Sequence, residues 1–336
     1  MSRVGIVAIG RNEGERLIRC LDSVVGQGHT VVYVDSHSSD GSVAAARIRG
    51  VDVVELDPTQ PMHPSLARGA GARRVLELAP DCEFIQFFDG DCEMEKGWIE
   101  TALAFMDANP QHGMVLGRRR ERFPDASPYN LLADIDWDSP IGPIKYSHGD
   151  MFVRVSAYQS CGGWRSDVLF DEDTDFLVRL RGCGWRLERV DAPMSIHDMS
   201  MTRLGQWWKR QKRTGGSYAE GFLRYGFTSE RLWIKEILSI LFWGAVLPLM
   251  ALLLAIPTHG ISLLMLLGYV FLYVKIRQAA ARCGMDQRRA HVFALSTTLG
   301  KIPGAIGVIS NWLRIALKRR RSWIIYKPSS TMHSTT

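Results

Sequence analysis

The run EFIQFFDGDCEMEKGW, Glu83 to Trp98, puts Asp89 and Asp91 on either side of Gly90 where an apolar stretch ends. Two ionised carboxylates about 4 Å apart repel by roughly 1 kcal/mol in water and roughly 4 kcal/mol at a protein surface, so the pair calls for a counter-charge. A divalent cation with oxygen ligands supplies one, and the intervening glycine lets backbone and ligand approach closely. Two further polar turns accompany it: GRNEGE (Gly10 to Glu15) and DSHSSDGS (Asp35 to Ser42). Ser38 to Gly41 also fits ordinary turn and N-cap chemistry for a helix beginning near Asp40. A fourth cluster, FDEDTDFLVRL (Phe170 to Leu180), gathers Asp171, Glu172, Asp173 and Asp175 where Phe176, Leu177 and Leu180 give a helix its apolar face. Acids in a first helical turn are stabilised by the macrodipole and need no catalytic purpose.

Positioning these groups falls to an alternation of strands and helices. Residues 3–9, 30–35, 51–56 and 84–88 are short β-branched or aromatic runs, and the segments between them carry helical spacing, as with Leu17, Leu21 and Val24, or Leu66, Ala70, Arg73 and Leu76. Phe84 to Phe88 reads as a strand buried on both faces of a parallel sheet. Right-handed βαβ crossovers then predict a doubly wound, mostly parallel α/β sheet that binds ligands at the carboxyl ends of its strands, where all three polar turns fall. No G-x-G-x-x-G follows the first strand and no G-x-x-x-x-G-K-[ST] occurs, which disfavours a dehydrogenase and a P-loop ATPase.

The chain of 336 residues, 46% hydrophobic, is long enough for one large domain plus an appendage. Its net charge of +6 is unevenly distributed: residues 203–336 hold 20 Lys/Arg against 4 Asp/Glu, which leaves the first 202 residues at −10. The positive charge flanks long apolar runs, so a membrane surface with anionic lipids is the expected partner and nucleic acid is not. The apolar run in MSRVGIVAIG is too short for a signal peptide, so the front domain is expected in the cytosol. Six cysteines without C-x-x-C spacing suggest neither a zinc site nor a disulfide framework.

From Ile237 to Val274, 38 residues lack Asp, Glu, Lys and Arg, with PTHG (Pro257 to Gly260) interrupting them, which predicts a helical hairpin. Its first arm rises about 30 Å, enough to span a bilayer, and its second, Ile261 to Val274, about 21 Å, which leaves a re-entrant hairpin open. The third apolar segment, His291 to Leu317, contains Lys301, Pro303 and Arg314 and precedes KRRRSWIIYK (Lys318 to Lys327). Because positive loops stay inside, this segment is expected to be interfacial or re-entrant on the cytosolic leaflet. QWWKRQKRTGG, Gln206 to Gly216, pairs tryptophans with basic residues as an interfacial helix does. The expected division is a catalytic domain over 1–202, amphipathic interfacial helices over 203–235, a transmembrane or re-entrant hairpin over 236–276, a basic loop and interfacial segment over 277–327, and a flexible tail over 328–336.

Taken in order, RNEG, VDSHSSDG, SLARGAGARR, DGD, GGW followed by EDTDFLVRLRGCGW, His197 and QWWKRQKRTGG resemble the membrane-associated, inverting family-2 glycosyltransferases with a GT-A fold of bacterial polysaccharide assembly. The resemblance covers about residues 4–216. It implies that Asp35 reads the base or ribose of a nucleotide, with Glu13 on the neighbouring turn and Arg68 on the base or phosphate side. Asp89 and Asp91 would hold Mg²⁺ or Mn²⁺ against the donor diphosphate, and His197 would complete the metal shell. Asp150, after Gly149, would bind a sugar hydroxyl. The family's E-D pair falls on Glu172 and Asp173, making Asp173 the general base and Glu172 the close alternative or an acceptor ligand. Trp137 offers a sugar-stacking surface or core packing, and Arg210 or Arg213 would reach a diphosphate. Processive relatives carry Q-x-x-R-W where this chain has Q-W-W-K-R, so processive polymer synthesis is not expected.

The implied activity is metal-dependent transfer of one sugar from a UDP- or GDP-sugar to a polyprenyl-diphosphate-linked saccharide, at the cytosolic face of the inner membrane, by a chain that a homo-oligomer would also accommodate. Two alternatives stand beside it. One is transfer to a polyprenyl phosphate itself; the other is a catalytically silent GT-A domain serving as a membrane scaffold.

Overall fold

The computed structural model describes residues 2–59, 62–147, 149–168 and 170–317. Two compact units divide them. The first comprises residues 2–122 and Trp137–Met199; the second comprises Phe123–Asp136 and residues 200–317.

The first unit is built on a nine-stranded sheet: β1 (Val4–Gly10), β2 (Thr30–Asp35), β3 (Asp52–Glu55), β4 (Phe84–Asp89), β5 (Cys92–Met94), β6 (His112–Glu121), β7 (Gly142–Pro143), β8 (Met151–Arg154) and β9 (Arg186–His197). Their order is β3-β2-β1-β4-β8-β6-β9-β5, with β7 also on β9. β1 to β4 pair in parallel, matching the four runs read from sequence, and β8 lies antiparallel between β4 and β6. The sheet is the mostly parallel α/β arrangement of the GT-A fold. β1 is buried through Ile9, as a strand covered on both faces must be.

Small residues set how closely the helix Pro64–Leu78 approaches the sheet. A Cβ on Gly71 would lie 2.3 Å from Val7 Cγ1, so only glycine lets this helix sit so low. His63 caps it by accepting the Leu66 N–H at 3.3 Å, and Arg74 on its outer side pairs with Asp52 at 2.8 Å. Arg68, on its inner side, is thereby buried beneath the ends of β1 and β4.

The second unit is helical: Pro128–Asp136, Leu204–Tyr225, Ile234–Leu241 running through a π-turn into Leu247–Leu253, Gly268–Arg282 after a 3₁₀ segment from Ile261, Gln287–Leu299 and Lys301–Ala316. Three stretches in it are long and apolar enough to cross a membrane: Ile234–Leu253, Ile261–Arg282 and Gln287–Ala316. The first two form a hairpin, in which Ser262 Oγ donates to Ala251 O at 2.7 Å and the Tyr269 hydroxyl donates to Trp243 O. Its second arm reaches beyond Val274 to Arg282, 22 residues with a rise of about 33 Å, because the helix continues through Lys275 and Arg277 once the apolar run ends. The basic run Lys318 to Lys327 and the tail 328–336 lie outside the described residues.

Candidate active site

Three strand ends converge. Gly10 is in register with Asp35 and Ile9 with Asp89, so the polar turns after β1, β2 and β4 meet at one sheet edge. Asn12, at φ 53°, donates its N–H to Ser38 Oγ (2.9 Å) and accepts the Ser39 N–H (2.8 Å), while Asp40 accepts the Gly14 N–H (3.0 Å). Asp40 also accepts the N–H and hydroxyl of Ser42, the first residue of helix Ser42–Ile48. Buried Asp35 accepts from the Tyr33 hydroxyl (2.8 Å) and the Ser38 N–H (2.7 Å), which fixes the turn while leaving lone pairs over. Glu13 pairs with Arg16 at 3.0 Å, and its Cγ would lie 3.5 Å from a Cβ on Gly90. Gly90 itself donates to Ile9 O at 2.7 Å, and a Cβ there would press within 3.0 Å of that oxygen. Close backbone approach is thus why glycine separates the two acids.

One guanidinium joins the acid clusters. Arg68 donates through Nη2 to Asp89 Oδ1 at 2.8 Å and through Nη1 to Asp173 Oδ1 at 3.0 Å and Glu172 Oε1 at 3.4 Å. It lies over the Trp164 ring at 5.2 Å and is buried. Gly149, at φ +101°, forms the wall: a Cβ there would stand 2.7 Å from Asp89 Oδ2 and 2.8 Å from Arg68 Nη2.

In the acidic helix Glu172–Gly182 the four acids have different tasks. Asp171 accepts from the Thr174 hydroxyl at 2.6 Å, and Asp175 pairs with Arg179 at 2.9 Å, whose guanidinium also holds the carbonyls of Cys161 and Gly163. Glu172 and Asp173 are the pair that contacts Arg68. Burial pushes the Asp173 carboxyl up to about 8, against the pull of Arg68 and helped by the charges of Glu172, Asp89 and Asp171.

Asp91 faces His197 across 3.3 Å, carboxylate oxygen to Nε2, and Glu121 lies 3.8 Å from the other ring nitrogen. Burial and the Arg119 charge work to lower the His197 pKa, Asp91 and Glu121 together raise it, and the net shift is upward. Asp91 and His197, with Cys92, form one cluster able to hold a metal ion, and Asp89 and Asp150, with the same Cys92, form a second. Burial holds the Cys92 thiol well above its ordinary pKa, so carboxylate oxygens and the imidazole are the donors suited to Mg²⁺ or Mn²⁺. The residues fit such a cation, with Glu121 behind His197 as an orienting partner.

Asp150 is tied into the same charge network. Its carboxylate is buried and accepts from the Ser195 hydroxyl (2.6 Å) and the Asp89 N–H (3.2 Å), with Arg119 Nε at 3.7 Å. A group held in this way orients Asp89, and it lines a cavity together with Arg119, Trp137 and Tyr146. Trp137 is buried too, its ring 4.6 Å from the His197 ring with the Arg119 guanidinium 4.7 Å above it. Arg210 and Arg213 belong to the second unit, on helix Leu204–Tyr225.

Sequence reasoning missed Arg119, which approaches Asp89 Oδ2 at 3.4 Å, and with it Glu121 and Ser195. In GRRRERF the strand alternates, so Arg119 and Glu121 share one face, which the fold buries, while Arg120 is exposed.

The glycosyl transferase family 2 model matches residues 6–169, and the glycosyl transferase family group 2 model matches residues 138–276. A probable glucomannan 4-beta-mannosyltransferase of Arabidopsis thaliana is 24% identical over 199 residues, covering 50% of this chain and 35% of that protein. A glucomannan 4-beta-mannosyltransferase of Cyamopsis tetragonoloba is 27% identical over 120 residues, covering 32% of this chain and 23% of that protein. The chain thus matches only about a third or less of the length of these curated relatives. Among solved structures, a mannosyltransferase from Pyrobaculum calidifontis in complex with GDP-Man and Mn²⁺ shares the fold at a TM-score of 0.58 and 17% identity, covering 91% of this chain and 87% of that one.

Proposed function

We propose, for a chain that carries a glycosyl transferase family 2 domain and is a glycosyltransferase on the GT-A fold, that it transfers one sugar with inversion from a nucleotide-diphosphate sugar to a hydroxyl of a lipid-linked saccharide. The observation that carries this reading is the Arg68 guanidinium. It ties Asp89, on the donor side, to Asp173 and Glu172, on the acceptor side, through one buried cation between partly exposed carboxylates.

Asp91 and His197, with Asp89 beside them, would hold Mg²⁺ or Mn²⁺; when bound, such a cation neutralises charge on the diphosphate leaving group. Asp35 and Glu13, on adjacent turns, border the place for the nucleoside. Asp173 takes the proton of the acceptor hydroxyl, and a carboxyl raised toward neutrality suits a base that must gain a proton as the bond forms. The same property favours a hydroxyl acceptor over a phosphate, which needs little help losing a proton. The apolar helices of the second unit support a membrane-borne acceptor, with the catalytic unit on the cytosolic face of the inner membrane.

GDP-mannose is the donor to test first, since both curated relatives are named as mannosyltransferases and the solved one was captured with GDP-Man. The test is a panel of GDP-, UDP- and dTDP-sugars with Mn²⁺, scoring binding and slow hydrolysis by the detergent-solubilised protein. Binding of one nucleotide class supports the reading. Binding of none returns the chain to the scaffold alternative.

A further inference from the structure

Hydrogen bonds hold the Arg68 guanidinium at two of its three nitrogens. Nη2 donates to Asp89 and Nη1 to Asp173 and Glu172, while Nε, also buried, finds no acceptor among the described residues. Bonds at the two outer nitrogens leave the plane able to tip about the line joining them, and tipping swings the N–H directions off the acceptor oxygens. What covers one face of that plane is the Trp164 ring, its centroid 5.2 Å from the guanidinium carbon.

The ring is itself held in place. It stacks on Phe176 of helix Glu172–Gly182 at 4.4 Å and meets Phe87 of β4 edge-on at 5.4 Å. The turn before it, with Gly162 and Gly163 at φ +77° and +64°, is clamped by Arg179, whose Nη1 donates to Cys161 O and Gly163 O at 2.7 Å each. The carbonyl of Arg165, directly after it, accepts from the hydroxyl of Ser65, one turn before Arg68 on helix Pro64–Leu78. A Cβ on Gly69 would lie 3.6 Å from Trp164 Cβ, so that helix and the turn pack closely. Trp164 therefore sits between the helix that carries Arg68 and the helix that carries Asp173, beside the strand that ends in Asp89.

The ring's polar atom does not explain a tryptophan at this position. Trp164 is 8% exposed, and its buried Nε1–H has no hydrogen-bond partner among the described residues, a cost that phenylalanine would avoid. What an indole adds is its face, the best of the aromatic side chains at attracting a cation. We infer that Trp164 is a positioning residue: its face holds the Arg68 guanidinium in the plane that serves Asp89 and the Glu172–Asp173 pair together. For its effect on rate the inference rests on the proposed transfer reaction; the coupling of the two side chains rests on geometry alone.

Double-mutant cycles on the full solubilised chain test it, with kcat and Tm read separately. Turnover is followed for the sugar nucleotide that binds, GDP-mannose first, with Mn²⁺. Trp164→Phe should lower kcat roughly tenfold and Trp164→Leu roughly a hundredfold, with KM nearly unchanged because the ring acts through Arg68. In the Arg68→Lys background, where an ammonium has no plane to align, Trp164→Phe should have almost no further effect on kcat. Equal fold-losses in the two backgrounds overturn the proposal. A second cycle uses Arg68→Met, which removes the cation and keeps a long stem. The Tm loss from Trp164→Phe should shrink in that background, and identical Tm losses overturn the coupling whatever the activity. The two cycles stand on different Arg68 variants, so misfolding of either leaves the other. A wild-type chain that turns over no sugar nucleotide counts against the transfer reading instead, and the Tm cycle then decides the coupling by itself.

Discussion

At the scale of single residues, the site is governed by what surrounds each carboxyl. Asp173 is largely buried against one shared arginine, so its native pKa lies above the ordinary aspartate range. A base of this kind should give a kcat/KM for acceptor that rises with pH through about 8. Asp173→Asn should lower kcat by roughly 10²–10⁴-fold with donor affinity nearly unchanged; near-normal turnover in this variant excludes Asp173 as the base. Linkage adds a sign. The native state binds more protons at Asp173 than the unfolded chain, so its contribution to stability is present below about pH 4 and is lost as pH rises to about 8. Asp173→Asn should therefore raise Tm, and by more at pH 9 than at pH 5, in thermal melts of the solubilised protein. On the donor side, Asp91→Ala should abolish the dependence of donor affinity on Mn²⁺, read by titration calorimetry with and without the ion; an undiminished Mn²⁺ effect would contradict its place in the metal shell.

Between residues and the whole chain, elements decide how near two groups can come. Helix Pro64–Leu78 brings Arg68 to the acids because Gly71 lets it settle on β1, and Gly149 leaves room for the guanidinium against Asp89. Gly71→Ala should cost about 1–3 kcal/mol, the usual range for overpacking, and appear as a lowered Tm together with lost activity. Gly149→Ala should behave differently, with activity falling further than stability because the new methyl group presses on Asp89 Oδ2 and Arg68 Nη2. An unchanged kcat in that variant would remove Gly149 from the list of residues shaping the site. Helix Glu172–Gly182 was recognisable from its apolar spacing, but its four leading acids look alike in sequence. The Thr174 hydroxyl on Asp171 and the Asp175–Arg179 pair separate two of them from the two that reach Arg68.

For the molecule as a whole, the arrangement is a catalytic unit followed by a helical one, with Phe123–Asp136 contributed to the second from the middle of the first unit's sequence. That excursion had no compositional signal, since PYNLLADID reads as an ordinary amphipathic helix in either setting. Its partners, Arg289 on Asp134 and Arg288 on Asp125, lie more than 150 residues further on. Detergent extraction is the measurement suited to this scale. Gly215→Leu should separate Lys301–Ala316 from Leu204–Tyr225 and lower the melting temperature of the solubilised chain, whereas Leu313→Ala, whose side chain is exposed, should leave it nearly unchanged.

By itself the sequence determined the four parallel strands β1 to β4 and the sheet edge at which their polar turns meet. Period-two and period-3.6 patterns reflect which faces are covered, and a D-x-D at a strand end falls at the sheet edge whatever the loops do. It also marked the membrane region, because a run of 38 uncharged residues has few other uses. What only the tertiary structure decided was which charges neutralise which. Arg119, buried between Asp89, Asp150 and the Trp137 ring, is one of three consecutive arginines, and a linear pattern does not show which of them faces a carboxylate contributed by a strand 30 residues away. Pairing of buried charges is set by distances across the fold, and those exist only once the chain has closed on itself.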